Sequence, residues 1–158
     1  MKGTIRKAQL ADAAHMVELS EQKRTEYEKH KPKFWRKAHD SAQKQMPYFE
    51  QQIRSDQVIA RIHEQNGTMD GFVIGMLVSA PAVYDPGGLS CFIDDFVVKK
   101  PSLWQSVGVL LLNEVVHESK SRGAVQSMVV CGHHDTPKQL MLASTGSSIA
   151  SEWWVKTL

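Results

Sequence analysis

Two apolar segments separated by a short polar break lie near the middle of the chain, and no other stretch constrains the fold as much. Residues 91–98 are rich in aromatic and β-branched types, which is typical of a buried strand. Lys99, Lys100, Pro101 and Ser102 interrupt the first segment, and residues 106–116 have the apolar character of a helix. The sequence therefore predicts a buried strand that leads through a short loop into a helix.

The junction between this loop and this helix reads Gln105-Ser106-Val107-Gly108-Val109. The first N–H groups of a helix have no partner inside the helix and carry the positive end of its dipole. Such a helix start can hold a phosphate group, and a glycine lets the phosphate approach the backbone closely. The junction is thus a candidate phosphate-binding site.

The hydrophobic period changes repeatedly along the remainder of the chain. A period of two predicts strands at 4–8, 58–63 and 72–79, and a short apolar run predicts another at 125–131. Helical spacing predicts helices at about 13–27, 47–53 and 136–144, and the aromatic segment 149–158 is predicted to be a last strand. No internal repeat or linker is evident, so we expect a single domain over residues 1–158.

Length and composition limit the possible functions. The chain has 158 residues, of which 42% are hydrophobic and 23% charged, and these values are typical of a globular domain. The net charge of +2 is too small to indicate a nucleic-acid binder by itself. No run approaches the ~20 apolar residues of a membrane span, and the first residues lack the apolar core of a secretory signal. Cys91 and Cys131 lie in apolar runs and are expected to be buried thiols, so we expect a cytoplasmic protein.

A strand followed by Q/R-x-x-G-x-G/A and a leucine-rich helix resembles the acetyl-CoA motif of the GNAT superfamily of acyl-CoA N-acyltransferases. Gln105 and Gly108 match this motif, and Leu110 stands where it has Gly or Ala. The order of predicted elements is also that of the family, so the resemblance covers essentially the whole chain. It implies an α/β (α+β) fold with a mixed, mostly antiparallel central sheet flanked by helices. In it, the strands 89–98 and 125–131 splay apart.

The resemblance also implies that acetyl-CoA is the co-substrate. Its pantetheine arm would lie between the splayed strands, and its pyrophosphate would bind at the junction. The implied cofactor-binding residues are Phe96, Val97, Val98, Gln105, Ser106, Val107, Gly108, Val109 and Leu110. Family enzymes often carry a tyrosine four residues before a glycine on the following helix, where it reprotonates the departing thiolate. Here Gly146 takes the glycine position and Leu142 the tyrosine position.

The pair Asp94-Asp95 before Phe96 is similar to the diamine and polyamine acetyltransferase branch of the superfamily. An amine with a pKa of ~10 is mostly protonated at neutral pH, so a base or a water relay must remove a proton before transfer. Asp94 and Asp95 are the candidate catalytic residues. Because adjacent strand residues face opposite sides, we expect only one of them, Asp94, to face the acceptor. The alternative is that one is solvated and the other is a structural hydrogen-bond acceptor.

The acceptor side of the site is expected to involve Trp35, Tyr84, Asp85 and His134. The basic segment 29–44, which contains Trp35, borders the acceptor site in the family. It could instead bind an acidic or nucleic-acid partner, although a solvated helix connection is the simpler interpretation. His117, His133, His134 and Asp135 raise the possibility of a metal site. Adjacent histidines usually diverge, however, so we expect no metal.

Three functions remain open on these grounds. The favoured one is an acetyl-CoA-dependent N-acetyltransferase that acts on a small amine, such as a polyamine or an amino-acid-like amine. The second is a GNAT-fold protein that binds acyl-CoA with little or no turnover, and the third is a binding module that uses segment 29–44. For the favoured function we expect a small-molecule amine as partner, no membrane, no nucleic acid, and a homodimer.

Overall fold

A six-stranded sheet with helices on both faces forms the centre of the molecule, which a computed structural model describes over residues 3–158. The strands are β1 (Thr4–Lys7), β2 (Val58–Gln65), β3 (Thr68–Val78), β4 (Leu89–Ile93), β5 (Phe96–Val98) and β6 (Ala124–Val129). The α-helices are α1 (Ala13–His30), α2 (Ser41–Arg54), α3 (Val109–Ser121) and α4 (Thr136–Ser144). None of the helices in the described residues is long and apolar enough to cross a bilayer.

The strand order is β1-β2-β3-β4-β6, with β5 paired to β3 beyond the end of β4. All pairs are antiparallel except β4 with β6, which are parallel. β2 and β3 are joined by a tight hairpin in which Asn66 and Gly67 both adopt positive φ angles, of 53° and 72°. The mixed, mostly antiparallel sheet flanked by helices, predicted from the sequence, is confirmed.

Two apolar cores lie on opposite faces of this sheet. On the α1/α2 face, Phe49 of α2 packs edge-to-face on Phe72 of β3, with ring centroids 5.6 Å apart. On the α3 face, Leu111 and Val115 of α3 pack in one core with Val73 of β3. Neighbouring residues of β3 therefore alternate between the two cores, as the pleat of a strand requires.

A β-bulge separates β4 from β5. Met76 of β3 lies opposite Phe92, whereas Val73 lies opposite Phe96, so the register shifts by one residue between these pairs. Two residues, Asp94 and Asp95, consequently face the single residue Ile74, whose N–H donates to the Asp95 carbonyl at 2.8 Å. The predicted strand 89–98 is thus two strands joined by a bulge.

The bulge is the point at which the central strands splay. β4 pairs with β6 from Leu89 opposite Ala124 to Ile93 opposite Val129. The N–H of Val130 adds one more bond, of 2.9 Å, to the Ile93 carbonyl. After the bulge, β5 bonds to β3 and parts from β6. The predicted splay is therefore confirmed, and it opens at Asp94.

Three predicted element bounds are wrong. The helix expected at 47–53 is α2, which begins six residues earlier at Ser41 and contains Pro47 in its interior. The helix expected to start at residue 106 begins as a helical run at Pro101, with a 3₁₀ turn (Pro101–Leu103) and a π-helical turn (Trp104–Gly108) before α3. Proline is favoured in a first turn, because its missing N–H would be unpaired there anyway. The strand expected at 149–158 is absent, since this tail meets no strand edge with which to pair in the described structure.

Candidate functional site

Both carboxylates of the bulge face the same side of the sheet. Ile93 and Phe96, which flank the bulge, belong to the core on the α3 face. Ile74, which lies opposite the two aspartates, belongs to the core on the α1/α2 face. Burial and the charges of Asp95 and Asp94 raise the pKa of the Tyr48 hydroxyl on α2. The expectation that only one aspartate faces the acceptor side is wrong, because the bulge interrupts the alternation of side chains.

The two aspartates differ in their exposure to solvent. Asp94 is exposed, whereas Asp95 is half-buried. Burial, with a further contribution from the charge of Asp94, raises the pKa of Asp95 above its ordinary value, and the positive charge of Lys23 on α1 opposes this rise. A carboxylate with a raised pKa is a better base near neutral pH than an ordinary one. Asp95 is therefore the stronger candidate for proton transfer.

The main chain of β5 presents alternate residues to the opening between β5 and β6. The Asp95 carbonyl accepts from β3, and the Lys99 N–H donates to the Asp70 carbonyl at 2.7 Å. In a strand, every second residue turns both main-chain groups to the same edge, so Val97 also turns toward β3. Phe96 and Val98 therefore face the opening. Val97, which was also expected to bind the cofactor, has its side chain in the α1/α2 core.

Lys138 of α4 extends a fully buried side chain into the same opening. Its Nζ donates to the Val130 carbonyl at 2.9 Å and to the Phe96 carbonyl at 3.4 Å, which lie on the two walls of the splay. The rings of Phe96 and Trp104 lie 5.3 and 5.2 Å from this nitrogen. Burial, with repulsion from Lys23, lowers the pKa of Lys138 from 10.5 to about 8. No carboxylate in residues 3–158 forms an ion pair with it.

The predicted phosphate junction lies inside the helical run instead of at its start. The N–H of Val109 already donates to the Trp104 and Ser106 carbonyls. Gly108 is buried, and a Cβ placed on it would lie 2.7 Å from Cε3 of Trp104. Packing against this ring, with no need for a phosphate, explains why the residue is a glycine.

Of the other junction residues, Val107 is buried, while Gln105, Ser106 and Leu110 are exposed. The unpaired N–H groups of the run lie near its first turn, directly after the exposed Lys99 and Lys100. The positive charge available for a phosphate is thus found one turn earlier than the sequence predicts.

An open, mainly apolar groove of about 320 Å³ separates the first turn of the helical run from the first turn of α4. Its lining residues are Pro101, Ser102, Trp104, Gln105, Thr136, Pro137 and Leu140. The groove lies beside the two lysines and next to the helix that carries Lys138. Its mainly apolar lining, with a few polar side chains, suits an extended ligand in which apolar segments alternate with amide groups.

Four rings form an aromatic cluster between the end of α1 and the loop after β6: Tyr27, His30, Trp35 and His134. His134 stacks on His30 at a centroid distance of 3.7 Å and meets Trp35 edge-on at 5.2 Å. Burial, and then the neighbouring His30, lower the pKa of His134. Lys23 lies 5.5 Å from the Tyr27 ring centroid, so the cluster is close to the charge that acts on Asp95.

Solved structures, several of them acetyltransferases, share this architecture. The tetramutant of the BH1408 protein from Bacillus halodurans has a TM-score of 0.84 at 14% identity, with 98% of this chain and 99% of that chain covered. A predicted acetyltransferase from Clostridium acetobutylicum, solved with acetyl-CoA, has a TM-score of 0.76 at 16% identity, with coverage of 99% and 96%. The chain has the GNAT fold. The aminoglycoside N-acetyltransferase AAC(6′)-Iy in complex with CoA shares it, with a TM-score of 0.73 at 16% identity and coverage of 99% and 95%. No protein-family model and no curated protein sequence matches the chain.

The GNAT fold brings some of the predicted site residues together and leaves others apart. Trp35 and His134 meet in the aromatic cluster. Tyr84 and Asp85 lie in the exposed loop before β4, where the Asp85 carboxylate accepts from the Gly87 N–H at 3.0 Å. Within residues 3–158, no hydrogen bond, ion pair or ring contact joins these two residues to the rest of the site. The same part of the chain contains no group of three or more His, Cys, Asp or Glu side chains arranged for a metal ion.

Lys138 is the residue that the sequence analysis does not single out. A helical lysine is usually exposed, so its identity alone gives no signal. The available signal is spacing, since Lys138 shares a helix face with the buried Met141 and the partly buried Leu142. A lysine on the apolar face of a helix needs polar partners inside the fold. Here the partners are the main-chain carbonyls on the two walls of the opening.

Proposed function

We propose that the chain is an acetyl-CoA-dependent N-acetyltransferase that acts on a small amine, such as a polyamine or an amino-acid-like amine. The observation that carries this proposal is the opening at the Asp94–Asp95 bulge, which is lined by main-chain groups, two carboxylates and one buried ammonium. The GNAT fold supports it, as do the acetyl-CoA and CoA found with two proteins of the same fold.

In this proposal acetyl-CoA lies along the free edge of β5. The main-chain groups of Phe96 and Val98 pair with the pantetheine amides, as an added strand would. The mainly apolar groove beside α4 receives the adjoining part of the molecule. Its phosphates lie at the start of the helical run near Lys99 and Lys100, with the exposed Gln105 and Ser106 within the same surface.

The acceptor amine approaches from the α1/α2 face. The exposed Asp94 attracts the cationic amine, and Asp95 takes a proton from it through water. The free amine then attacks the thioester carbonyl carbon, and the resulting oxyanion accepts a hydrogen bond from an N–H of β5. When the oxyanion collapses to the amide carbonyl, the C–S bond breaks and its electron pair leaves with sulfur as a thiolate. The nitrogen, which carries a positive charge after the attack, loses its second proton to solvent water.

Lys138 supplies the proton that this thiolate requires. The family position for a tyrosine holds Leu142, so an acid must come from elsewhere. A pKa of about 8 for Lys138 is close to the ~8.5 of an ordinary thiol, which allows transfer in either direction. The 3.4 Å bond to the Phe96 carbonyl is the longer of its two bonds and is the one released when substrate enters. The lysine then regains a proton from solvent.

A second candidate is acyl-CoA binding with little or no turnover. It is favoured by the bridge that Lys138 makes between the Phe96 and Val130 carbonyls, since this bridge holds the walls of the opening together. The basic segment gives less support to a nucleic-acid or acidic partner. Its ion pairs within the chain are Lys29–Glu26, Lys37–Glu21 and Lys44–Asp40.

The test combines calorimetric titration of acetyl-CoA with thiol release over a panel of diamines, polyamines and amino acids. Saturable binding together with release in the presence of at least one amine is the expected result. Binding without release for every amine supports the second candidate. Absence of binding at millimolar acetyl-CoA overturns both.

A further inference from the structure

Lys23 lies on the side of α1 that is turned toward the sheet. Met16 and Ser20, which precede it on the same face of the helix, are buried. Lys23 is itself half-buried, and its Nζ lies 5.5 Å from the ring centroid of Tyr27, one turn further along. Because α1 packs on β3 and β5, this side of the helix faces the Asp94–Asp95 bulge between the strands. The Lys23 ammonium is therefore turned toward the acceptor side of the opening.

Three positive charges oppose the burial that raises the pKa of Asp95: those of Lys23, Arg24 and Lys138. The Arg24 guanidinium donates to the Gln45 side chain at 2.6 Å, and the Lys138 ammonium donates to two main-chain carbonyls. Within residues 3–158, Lys23 has no hydrogen bond and no ion pair. An ammonium that is partly removed from water without an anionic partner is available to an anion of a ligand.

The two aspartates of the bulge are also free to pair with a ligand. The carboxylates of Asp94 and Asp95 form no hydrogen bond or ion pair in the described part of the chain. They lie on the α1/α2 face of the sheet, so the acceptor side presents unpaired groups of both signs. A ligand that pairs with all of them must carry a cation and an anion. The second ammonium of a diamine or polyamine would instead be repelled by Lys23.

We propose that the acceptor is a small amino carboxylate, with its ammonium at Asp94 and Asp95 and its carboxylate on the Nζ of Lys23. Lys23 then determines specificity, because its Nζ donates a charge-assisted hydrogen bond that a simple amine cannot accept. One ammonium matches the single charge of a carboxylate better than the ~1.5 to 2 charges of a phosphate monoester. This inference rests on the proposed function, which it narrows from amines in general to amines that carry a carboxylate.

Thiol release from acetyl-CoA over matched sets of amines tests the inference on the full chain. Each set contains an amino acid, its carboxamide and the decarboxylated amine. The sets cover the protein amino acids, β-alanine and γ-aminobutyrate, and putrescine, spermidine and phosphoethanolamine are added. In the parent, kcat/KM for the best amino acid should exceed that for the other two members of its set by at least ~10-fold. Comparable values within every set overturn the inference, as does a higher value for any of the three added amines.

Variants at position 23 show whether Lys23 causes this preference. A carboxamide also has a less basic amine than its amino acid, so the quantity to compare between proteins is the ratio of the two kcat/KM values. Lys23→Met should lower this ratio ~10-fold, mainly by raising KM for the amino acid, while Lys23→Arg should largely keep it. Lys120→Met removes the same charge from an exposed position on α3 and should leave the ratio unchanged. A ratio that survives in Lys23→Met overturns the inference.

Calorimetric titration of the same amino acids and carboxamides into the CoA-bound protein separates failure of this inference from failure of the proposed function. If no amine releases thiol, the proposed function fails, but tighter binding of an amino acid than of its carboxamide, lost in Lys23→Met, still supports the role of Lys23. If diamines are acetylated and no amino acid binds, the proposed function stands and the inference is overturned. Absence of both binding and thiol release overturns both.

Discussion

The hydroxyl of Tyr27 donates a 2.7 Å hydrogen bond to the carboxylate of Asp135, the residue that caps α4. The same carboxylate accepts from the N–H of Lys138, and the Tyr27 oxygen accepts from the Gly132 N–H at 3.3 Å. Helix α1 therefore determines where α4 begins, and with it where the Lys138 side chain enters the opening. The aromatic cluster and the buried lysine form one connected structure.

Replacing Tyr27 with phenylalanine should lower the free energy of unfolding by ~1–2 kcal/mol, because the Asp135 carboxylate loses one of its two hydrogen bonds and the Gly132 N–H loses its acceptor. The measurement is urea denaturation. Tyr48→Phe is the matched control, since in the described chain the Tyr48 hydroxyl forms no hydrogen bond, and its change should stay within ~0.5 kcal/mol. An equal effect of the two substitutions would show that the Tyr27 bonds contribute little.

The two aspartates of the bulge should affect different kinetic constants. Asp95→Asn should lower kcat for acetyl transfer by ~100-fold while leaving acetyl-CoA affinity nearly unchanged, because it removes the proton acceptor. Asp94→Asn should mainly raise KM for the amine, in a manner that weakens with added salt, because an exposed charge acts through the solvent. Steady-state kinetics of both variants measure these effects. A large loss of kcat in Asp94→Asn, with only a change of KM in Asp95→Asn, would assign the proton transfer to Asp94 instead.

The pH–rate profile of the parent provides an independent check on Asp95. Because burial raises the pKa of this carboxyl, the rate should begin to fall with acidification at a higher pH than an ordinary aspartate would give. The acidic limb should be absent in Asp95→Asn and retained in Asp94→Asn. If the parent and both variants show the same fall in rate at acidic pH, a group other than these two aspartates causes it.

Lys138 should make the chain more stable as the pH rises from about 8 toward 10.5. In this window the unfolded chain still binds a proton that the folded chain has lost, so the free energy of unfolding increases with pH. The gain is at most about 3 kcal/mol. The raised pKa of Cys131, about 11, acts in the opposite direction. The measurement is therefore the difference in the free energy of unfolding between the parent and Lys138→Met, obtained by denaturation at several pH values.

Lys138→Met also tests whether Lys138 donates a proton during catalysis. In the parent, kcat should fall above pH 8 as Lys138 loses the proton that the thiolate needs, whereas Lys138→Met should be slower and lack this limb. Lys120→Met, at an exposed position in the last turn of α3, is the control and should resemble the parent in both experiments. A stability difference that is independent of pH would contradict the low pKa.

Gly108→Ala should destabilise the chain instead of selectively abolishing CoA binding, as the motif alone would predict. The new Cβ would press on the Trp104 ring at 2.7 Å, with a cost of ~1–3 kcal/mol that exceeds the ~1 kcal/mol gained in helix propensity. In a Trp104→Leu background the cost should largely vanish, which a double-mutant cycle measures. Ser106→Ala, at an exposed neighbour, should be neutral. A cost that persists without the Trp104 ring would point to another cause.

The sequence predicts the order of elements and the splay well, because long apolar runs with a clear period depend little on their surroundings. It does not predict the bulge, although one signal is present. Ile93 and Phe96 are both core residues on one face but are three positions apart, which an uninterrupted period of two does not allow. The assumption of an unbroken strand therefore assigned the two aspartates to opposite faces.

The last predicted strand and the start of the central helix show two further limits. Segment 149–158 has strand-like composition, but a strand forms only where another backbone completes its hydrogen bonds, and the sequence of one chain does not name that partner. The helix is predicted to start at residue 106 from its apolar pattern, whereas Pro101 begins the helical run five residues earlier. Polar and proline-containing first turns carry no apolar pattern, so the pattern places the start of this helix too late.

Deletion of either Asp94 or Asp95 would leave Ile93 and Phe96 two positions apart and therefore still on the same face. Every other core position of β4 and β5 would keep its side, and the pair could continue as one regular strand along β3. The loss of one codon would then close the opening while preserving the hydrophobic pattern on which folding depends. In the proposed enzyme, the reaction depends on a single surplus residue, so one mutational event could remove the activity and leave a well-folded descendant.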